Sequence, residues 1–244
     1  MEPTVESDPD QNPSVDVVVQ RTTLSTLSNK YLIVDTETTG LEEDARIVEL
    51  AWALTDESFD VIHRHSMLIR PHLSLRPDTE LEPHSDDSAL QYEFVHGGEA
   101  SRINGITQED LIRDGQDMND VLTIFLESMN MGATHFIAHN VRFDHRTIVY
   151  ECKKHERQDV LDRFAQLHPI CSMKSTTKIV NLPKYKWPRL MELYTFCYGE
   201  GTALPGQGTA HRADTDVETL RMCLVHLQTE HGMTMNENNQ LTFP

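Results

Sequence analysis

Three short stretches hold residues that could do chemistry together. In LIVDTETTGL (32–41) an apolar run meets Asp35 and Glu37, one residue apart, then turns through Thr38, Thr39 and Gly40. On a strand, positions i and i+2 share a face, so both carboxylates project together, about 7 Å apart at a rise of ~3.3 Å per residue. Like charges that close repel unless a cation sits between them. The pair is therefore either solvated at a strand edge or part of a metal site, and a lone D-x-E is too common by chance to decide. AHNVRFD (138–144) ends a strand at His139 and Asn140 and puts Asp144 in a helix's first turn, where an acid also suits the helix dipole. AHRADTD (210–216) follows a loop of Gly, Pro and Gln, keeps His211 in that loop, and leads Asp214 and Asp216 into the last helix, where acids also serve as caps. Each stretch has an ordinary structural explanation. Their conjunction does not, because all three fall at ends of elements that can converge on one sheet edge.

The elements that would position them can be read from hydrophobic pattern. YLIVDT (31–36), RIVELAWAL (46–54) and VIHRHSMLIR (61–70) read as three consecutive strands, expected to be antiparallel neighbours, with DESFD as the hairpin turn between the second and third. Residues 71–100 are rich in acids, Pro and His without a clear period, which predicts a long surface insertion. INGITQEDL (103–111) gives a turn and a short helix, MNDVLTIFLESM (118–129) an amphipathic helix, THFIAHN (134–140) a strand and VRFDHRTIVYECKKH (141–155) a helix. A further αβ step lies around HPICSM (168–173). PRLMELYTFCYG (188–199) predicts a helix with Pro in its first turn and Gly at its stop, and DTDVETLRMCLVHLQ (214–228) the last helix. Strands first and alternating helices and strands afterwards argue for an α/β sheet covered on both faces.

Bulk composition sets limits. The 244 residues suit one domain with tails: an acidic N-terminal tail over 1–29, expected to be disordered apart from an edge strand at Val15–Val19, a folded domain over 30–230 and a C-terminal tail over 231–244. Mean hydropathy is -0.46, and no apolar run nears the ~20 residues that span a bilayer, so no membrane association is expected. The N-terminus has no apolar leader and the four cysteines are scattered without C-x-x-C. The expected location is intracellular, cytoplasmic or nuclear, and not secreted. A net charge of -18 argues against a generic nucleic-acid coater, but not against an enzyme whose bound cations reverse the local field.

DTETTG (35–40), AHNVRFD and HRADTD resemble the three motifs of the DEDDh (DnaQ-like) 3′→5′ exonucleases, over roughly residues 30–228. INGIT (103–107) resembles that family's HGIT turn, with Asn104 where His is common. LPKYKWPRLMELY (182–194) looks like a segment of relatives of the three-prime repair exonucleases, and the overall pattern also resembles polymerase III epsilon-like proteins. The resemblance implies an RNase H-like exonuclease fold with a central mixed five-stranded sheet and helices on both faces. It implies that Asp35, Glu37, Asp144 and Asp216 hold two Mg²⁺ ions, with Mn²⁺ able to substitute, and that His211 is the general base, a role suited to an imidazole because it titrates near neutrality. It implies that Asp35 bridges both ions, that Glu37 and Asp216 serve the nucleophile-side ion, and that Asp144 serves the other, through water. Substrate contacts are implied at Thr38, through a backbone amide to the 3′-OH, at Leu41 as a wedge against the last base, and at Asn140, Phe143 and His211. Core packing is the competing explanation for Leu41 and Phe143. Lys174, Lys178, Lys184, Lys186 and Arg189 form a basic stretch that could follow a phosphate backbone or could simply be a solvated face.

The expected activity is removal of nucleoside 5′-monophosphates from the 3′ end of DNA, single-stranded by expectation. The alternatives are an exoribonuclease of the same family, a proofreading subunit that works beside a polymerase, a non-catalytic binding module, and a free-standing acidic binding protein whose acids hold only a structural ion. An oligomer is compatible with the sequence. A zinc site is not expected, because His135 and His139 would stand ~13 Å apart on a strand and Cys152 with His155 lacks a second pair at zinc spacing. Acids in the 71–100 insertion (Asp78, Glu80, Glu82, Asp86, Asp87) would repel nucleic acid, so the insertion is expected to lie off the substrate path. Loss of single-strand activity on deletion of 78–99, with the fold intact, would contradict that.

Overall fold

A computed structural model describes residues 28–75, 90–207 and 210–244. The expected edge strand at 15–19, most of the N-terminal tail and the middle of the 71–100 insertion lie outside these residues.

The central sheet has the order β3-β2-β1-β6-β7, built from β1 (Tyr31–Thr38), β2 (Ile47–Thr55), β3 (Val61–Leu68), β6 (His135–Ala138) and β7 (His168–Cys171). The first three strands are antiparallel neighbours, as their pattern predicts. Between β2 and β3 the Asp56 carboxylate accepts the backbone N–H groups of Ser58 and Asp60, both at 2.9 Å, which locks the tight turn. β6 and β7 are parallel to β1, and parallel neighbours need a crossover long enough for helices. Those helices are α3 (Met118–Asn130) before β6, and α4 (Val141–Lys154) with α5 (Gln158–Phe164) before β7.

Burial on both faces explains why β1 and β2 read as apolar runs and not as alternating patterns. Leu32 and Val34 of β1 join Trp52, Phe125, Phe136 and Phe164 in one core under α3, α4 and α5. Tyr31 and Ile33 join Leu193, Val217, Leu220 and Leu224 in a second core under α7 (Leu190–Tyr198) and α8 (Ala213–His231). Full burial of each large apolar side chain contributes roughly 1.5–3 kcal/mol, and the one polar atom of Trp52 is satisfied by the Ser128 hydroxyl at 2.9 Å.

Several elements differ from expectation. The ends of the 71–100 insertion pair as a small antiparallel ladder, β4 (Leu73–Leu75) with β5 (Leu90–Tyr92), and a helix, α1 (Gly98–Asn104), precedes the expected α2 (Gln108–Asp114). α6 (Ser172–Val180) follows β7; its Ser/Thr-rich sequence hides a helix whose hydroxyls return to the preceding turn, Thr176 to Ser172 and Thr177 to Met173. α7 starts at Leu190 with Arg189 as its cap, so Pro188 precedes the helix instead of opening its first turn. The segment 231–244 reads as a tail, yet it carries β8 (Thr234–Met235) paired with β9 (Leu241–Thr242). Met233 and Leu241 bury into the second core, and the Asn239 side chain meets His135 of β6 at 3.0 Å. Its apolar residues are too widely spaced to register as a pattern, but they are enough to dock a hairpin.

Candidate active site

Strand parity places the first two acids. Tyr31 and Ile33 face the core under α8, so Asp35 and Glu37 continue that face beyond the core's edge. Thr36 faces the other way, toward α4, and its backbone N–H and hydroxyl both donate to Asp144 Oδ1, at 3.0 and 2.9 Å. The β1–β2 register slips between Glu37 and Thr38. Such bulges re-aim side chains at strand ends.

Asp216 lies in the first turn of α8, and His211 stands just before it with a left-handed backbone, φ 64°. For a residue with a Cβ that conformation carries strain. What holds it is Glu49 of β2, buried inside an otherwise apolar strand. Its carboxylate accepts Arg212 Nε and Nη2 and the backbone N–H of Ala213, each at 3.0 Å, with Ser66 as a further donor at 3.0 Å. The entry to α8 is thereby bolted to the sheet. Asp214, the other acid of this motif, is occupied elsewhere, because Arg64 of β3 takes its carboxylate. Asp214 and Asp216 are two positions apart and so face different ways on a helix, which leaves Asp216 for the site.

Among the described residues, ligand atoms of Glu37, His211 and Asp216 all lie within 4.8 Å of one another. Asp35 sits in the field of Asp144, Asp216 and Glu37, and burial together with those charges holds its carboxyl well above the usual range. Burial first, then Asp216, pushes Glu37 up to about 8. Burial raises Asp144 to about 7 despite the Thr36 bonds, and raises Asp216 to about 6 against the opposing effect of His211. Four acids this close together, each with a raised carboxyl, could accept a divalent cation. Glu37, Asp216 and His211 stand at ligand distance of one another, while Asp35 and Asp144 border them without joining that group; hard carboxylate oxygens of this kind could hold divalent ions such as Mg²⁺.

Beside them, a cavity of about 370 Å³ is lined by Glu37, Thr38, Leu41, Gly97, Ile103 and Asn104, among others. Leu41 is 80% exposed and Ile103 50% exposed, so Leu41 belongs to the cavity wall and not to the core. Phe143 is half-buried, with the Arg146 guanidinium 5.2 Å from its ring centre. Asn140 caps α4 by position, but its side chain makes no capping hydrogen bond.

Sequence reasoning missed Glu49, Arg212, Thr36 and the partners of Asn104. Asn104 Oδ1 accepts from Ile106 N at 3.1 Å and lies 3.2 Å from His96 Nε2, which leaves its amide to donate toward Glu37. One signal was available: Glu49 is the only charge inside IVELAWALT, and a charge inside a doubly buried strand demands a partner.

No family model and no curated protein matches the sequence. Solved structures do. Exonuclease X in complex with 5′-overhanging duplex DNA is similar at 22% identity and a TM-score of 0.53, covering 84% of this chain and 94% of that one. E. coli exonuclease I in complex with a dA16 oligonucleotide is similar at 19% identity and a TM-score of 0.60, covering 82% of this chain. The zinc-ion-bound form of the E. coli exonuclease I–single-stranded DNA complex is similar at 19% and 0.61, covering 83%. This chain spans 41% of each exonuclease I chain. The likeness shows a shared fold: the mixed five-stranded sheet with helices on both faces.

Proposed function

We propose that this protein is a metal-dependent 3′→5′ exonuclease that releases nucleoside 5′-monophosphates from the 3′ end of single-stranded DNA. The observation that carries the reading is the convergence of Asp35, Glu37, Asp144 and Asp216 with His211 at one sheet edge, three of them within 4.8 Å. It is supported by a fold shared with exonucleases I and X, whose structures contain DNA.

Asp35, Glu37, Asp144 and Asp216 would hold two Mg²⁺ ions. When bound, such ions supply Lewis-acid stabilisation for the attacking and leaving oxygens of phosphoryl transfer. The protein's own groups do the rest. His211 accepts the proton of the attacking water, a contribution of typically 10²–10⁴-fold for a positioned base. Its place on the loop before α8, beside Glu37 and Asp216, suits a group that meets water at the rim. The cavity between Leu41 and Ile103 receives the terminal nucleoside, with Leu41 against the base and the Thr38 backbone near the 3′-OH. Asn140 and Phe143, at the start of α4, lie where the scissile nucleotide would be supported.

The test is a 5′-labelled single-stranded DNA oligonucleotide with Mg²⁺, with Mn²⁺ and with EDTA. The expected outcome is a metal-dependent ladder shortening from the 3′ end, lost in Asp35→Ala and His211→Ala. A matched RNA oligonucleotide cut faster than DNA would move the assignment to an exoribonuclease. No cleavage of either polymer by folded, metal-loaded protein would leave a binding module.

A further inference from the structure

An acid-free basic stretch runs beside the proposed site. From Arg163 to Met191 the chain has no Asp or Glu but carries Arg163, Lys174, Lys178, Lys184, Lys186 and Arg189, in a protein of net charge -18. Within it, Tyr185 is 74% and Trp187 55% exposed. Large aromatics left in water next to cations call for a partner with flat apolar faces and negative charge.

The segment is fastened to the active-site edge. His139 immediately precedes Asn140 at the start of α4, and its Nε2 donates to the Pro188 carbonyl at 2.8 Å. That bond fixes the tautomer, so Nδ1 accepts the Ser172 hydroxyl at 3.0 Å. Met173 N donates to the His139 carbonyl, also at 3.0 Å. One residue at the end of β6 thus anchors both the 182–189 loop and α6, a few residues from Asp144.

The loop is also held in an unusual shape. Lys184 and Tyr185 both have left-handed backbones, φ 60° and 52°, a conformation that persists only where the surroundings enforce it. Lys186 is tied to Glu192, which also accepts the Arg189 backbone N–H. Lys174 Nζ lies 5.4 Å from the Trp187 ring centre, so a lysine of α6 and the loop's indole present one composite surface. Beyond Lys174 a groove of about 670 Å³ continues between α6 and the C-terminal hairpin, lined by Lys178, Ser175, His231 and Phe243, among others.

We infer that Tyr185 and Trp187, with Lys174, Lys178 and Lys184, form a landing platform for the single-stranded polynucleotide upstream of the nucleotide being removed, an inference that rests on the nuclease reading for its direction. Bases stack on the two rings and the lysines follow the phosphates. Neither interaction reads base identity, which suits trimming of any sequence. The same surface gives an otherwise acidic protein a local attraction for its substrate.

The test is direct binding of fluorescein-labelled oligothymidylate by anisotropy, in EDTA so that nothing is cut. Wild type is compared with Tyr185→Ala/Trp187→Ala and with Lys174→Glu/Lys178→Glu, each first checked for an unchanged thermal midpoint. Because the two rings supply the stacking surface, the aromatic pair is expected to weaken binding roughly tenfold or more. The lysine pair is expected to weaken binding and flatten its salt dependence, by about 0.7 in log–log slope for each phosphate that is no longer neutralised. Binding by both variants within twofold of wild type overturns the platform. Oligouridylate bound equally well supports stacking and phosphate pairing as the shared chemistry. Hydrolysis of thymidine 5′-monophosphate p-nitrophenyl ester by wild type is followed separately. Its absence, with oligothymidylate binding abolished only in the variants, removes the nuclease reading and leaves the platform standing.

Discussion

Two groups of buried acids meet at the end of the same sheet and are treated in opposite ways. Glu151 of α4 is fully buried, and Arg46, just before β2, reaches it with Nε and Nη2 at 2.8 and 2.9 Å while the Ile47 backbone N–H donates at 3.0 Å. Burial alone would raise the Glu151 carboxyl, but the bonds from His155 and Arg46 outweigh it and hold it below the usual range. Glu49 is likewise enclosed by Arg212, Ala213 and Ser66. Among the described residues no guanidinium bonds to Asp35, Glu37 or Asp216, and their carboxyls are pushed up. The paired acids fasten helices to the sheet. Acids left without a guanidinium in this way are expected to lower the stability of the metal-free protein, the cost a cation-binding site would carry under the proposed function.

Asp35→Asn separates the two roles most sharply. Single-strand cleavage is expected to fall on the order of 10³-fold, while the metal-free thermal midpoint rises by a few degrees because a carboxyl whose charged form burial and the neighbouring acids disfavour is gone. A falling midpoint would mean that Asp35 is a structural acid like Glu151. Glu151→Ala should do the reverse. It strands the Arg46 guanidinium and is expected to cost ~3–5 kcal/mol in urea unfolding, with metal affinity of the remaining folded protein little changed.

Glu49→Gln tests the intermediate case, a paired acid that positions unpaired ones. It keeps the packing but weakens the grip on Arg212 and Ala213, so His211 and Asp216 lose their fixed entry to α8. The expected cost is 10–100-fold in activity, visible as a higher half-saturating Mg²⁺ concentration that saturating metal partly restores. Loss of stability with unchanged metal dependence would reduce Glu49 to a fastening of the fold.

The two groups also predict opposite pH slopes. Raised carboxyls bind more protons in the folded than in the unfolded state, so in EDTA their stabilising contribution is complete below the unfolded range near ~4. It is lost as pH rises through about 6 for Asp216, about 7 for Asp144 and about 8 for Glu37. Glu151 contributes with the opposite sign: its contribution is present above the unfolded range and lost as pH falls through its lowered folded value. Thermal midpoints measured in EDTA should therefore decline from about pH 5 to about pH 8, and Mg²⁺ should raise the midpoint more at the upper end. A flat profile with no growing metal effect would mean that the acids already have partners.

Both sides of this contrast differ in how far they could be read from the sequence. The first three strands, their antiparallel connections and the placing of Asp35, Glu37, Asp144 and Asp216 at element ends follow from period and turn residues, all local properties, whereas the order of the five strands does not. Glu49 was visible only as an anomaly, and its partners Arg212 and Ala213 lie far along the chain, where no local pattern points. The Asn104–His96 pair, the Lys174–Trp187 stack and the C-terminal hairpin are long-range or sparsely patterned in the same way. α6 was missed because its Ser and Thr residues have weak helix propensity, and tertiary packing overrode it.

The smallest expected effect on stability concerns Leu41, where packing and function give opposite numbers. A leucine in the core costs ~2–5 kcal/mol when cut to alanine, and core packing is the competing explanation for this residue. At 80% exposure there is little burial to lose, so Leu41→Ala should change unfolding free energy by no more than about 0.5 kcal/mol. Its side chain instead borders the cavity shared with Glu37, Ile103 and Asn104. If the terminal base is held against it, kcat/KM on single-stranded DNA should fall by roughly 10–200-fold at most, the range for apolar pocket interactions of one to a few methylenes. The loss should be smaller when the terminal base already stacks poorly. Unchanged stability with unchanged kcat/KM would take Leu41 out of the site, and the uncompensated acids would then have to position the 3′ end without it.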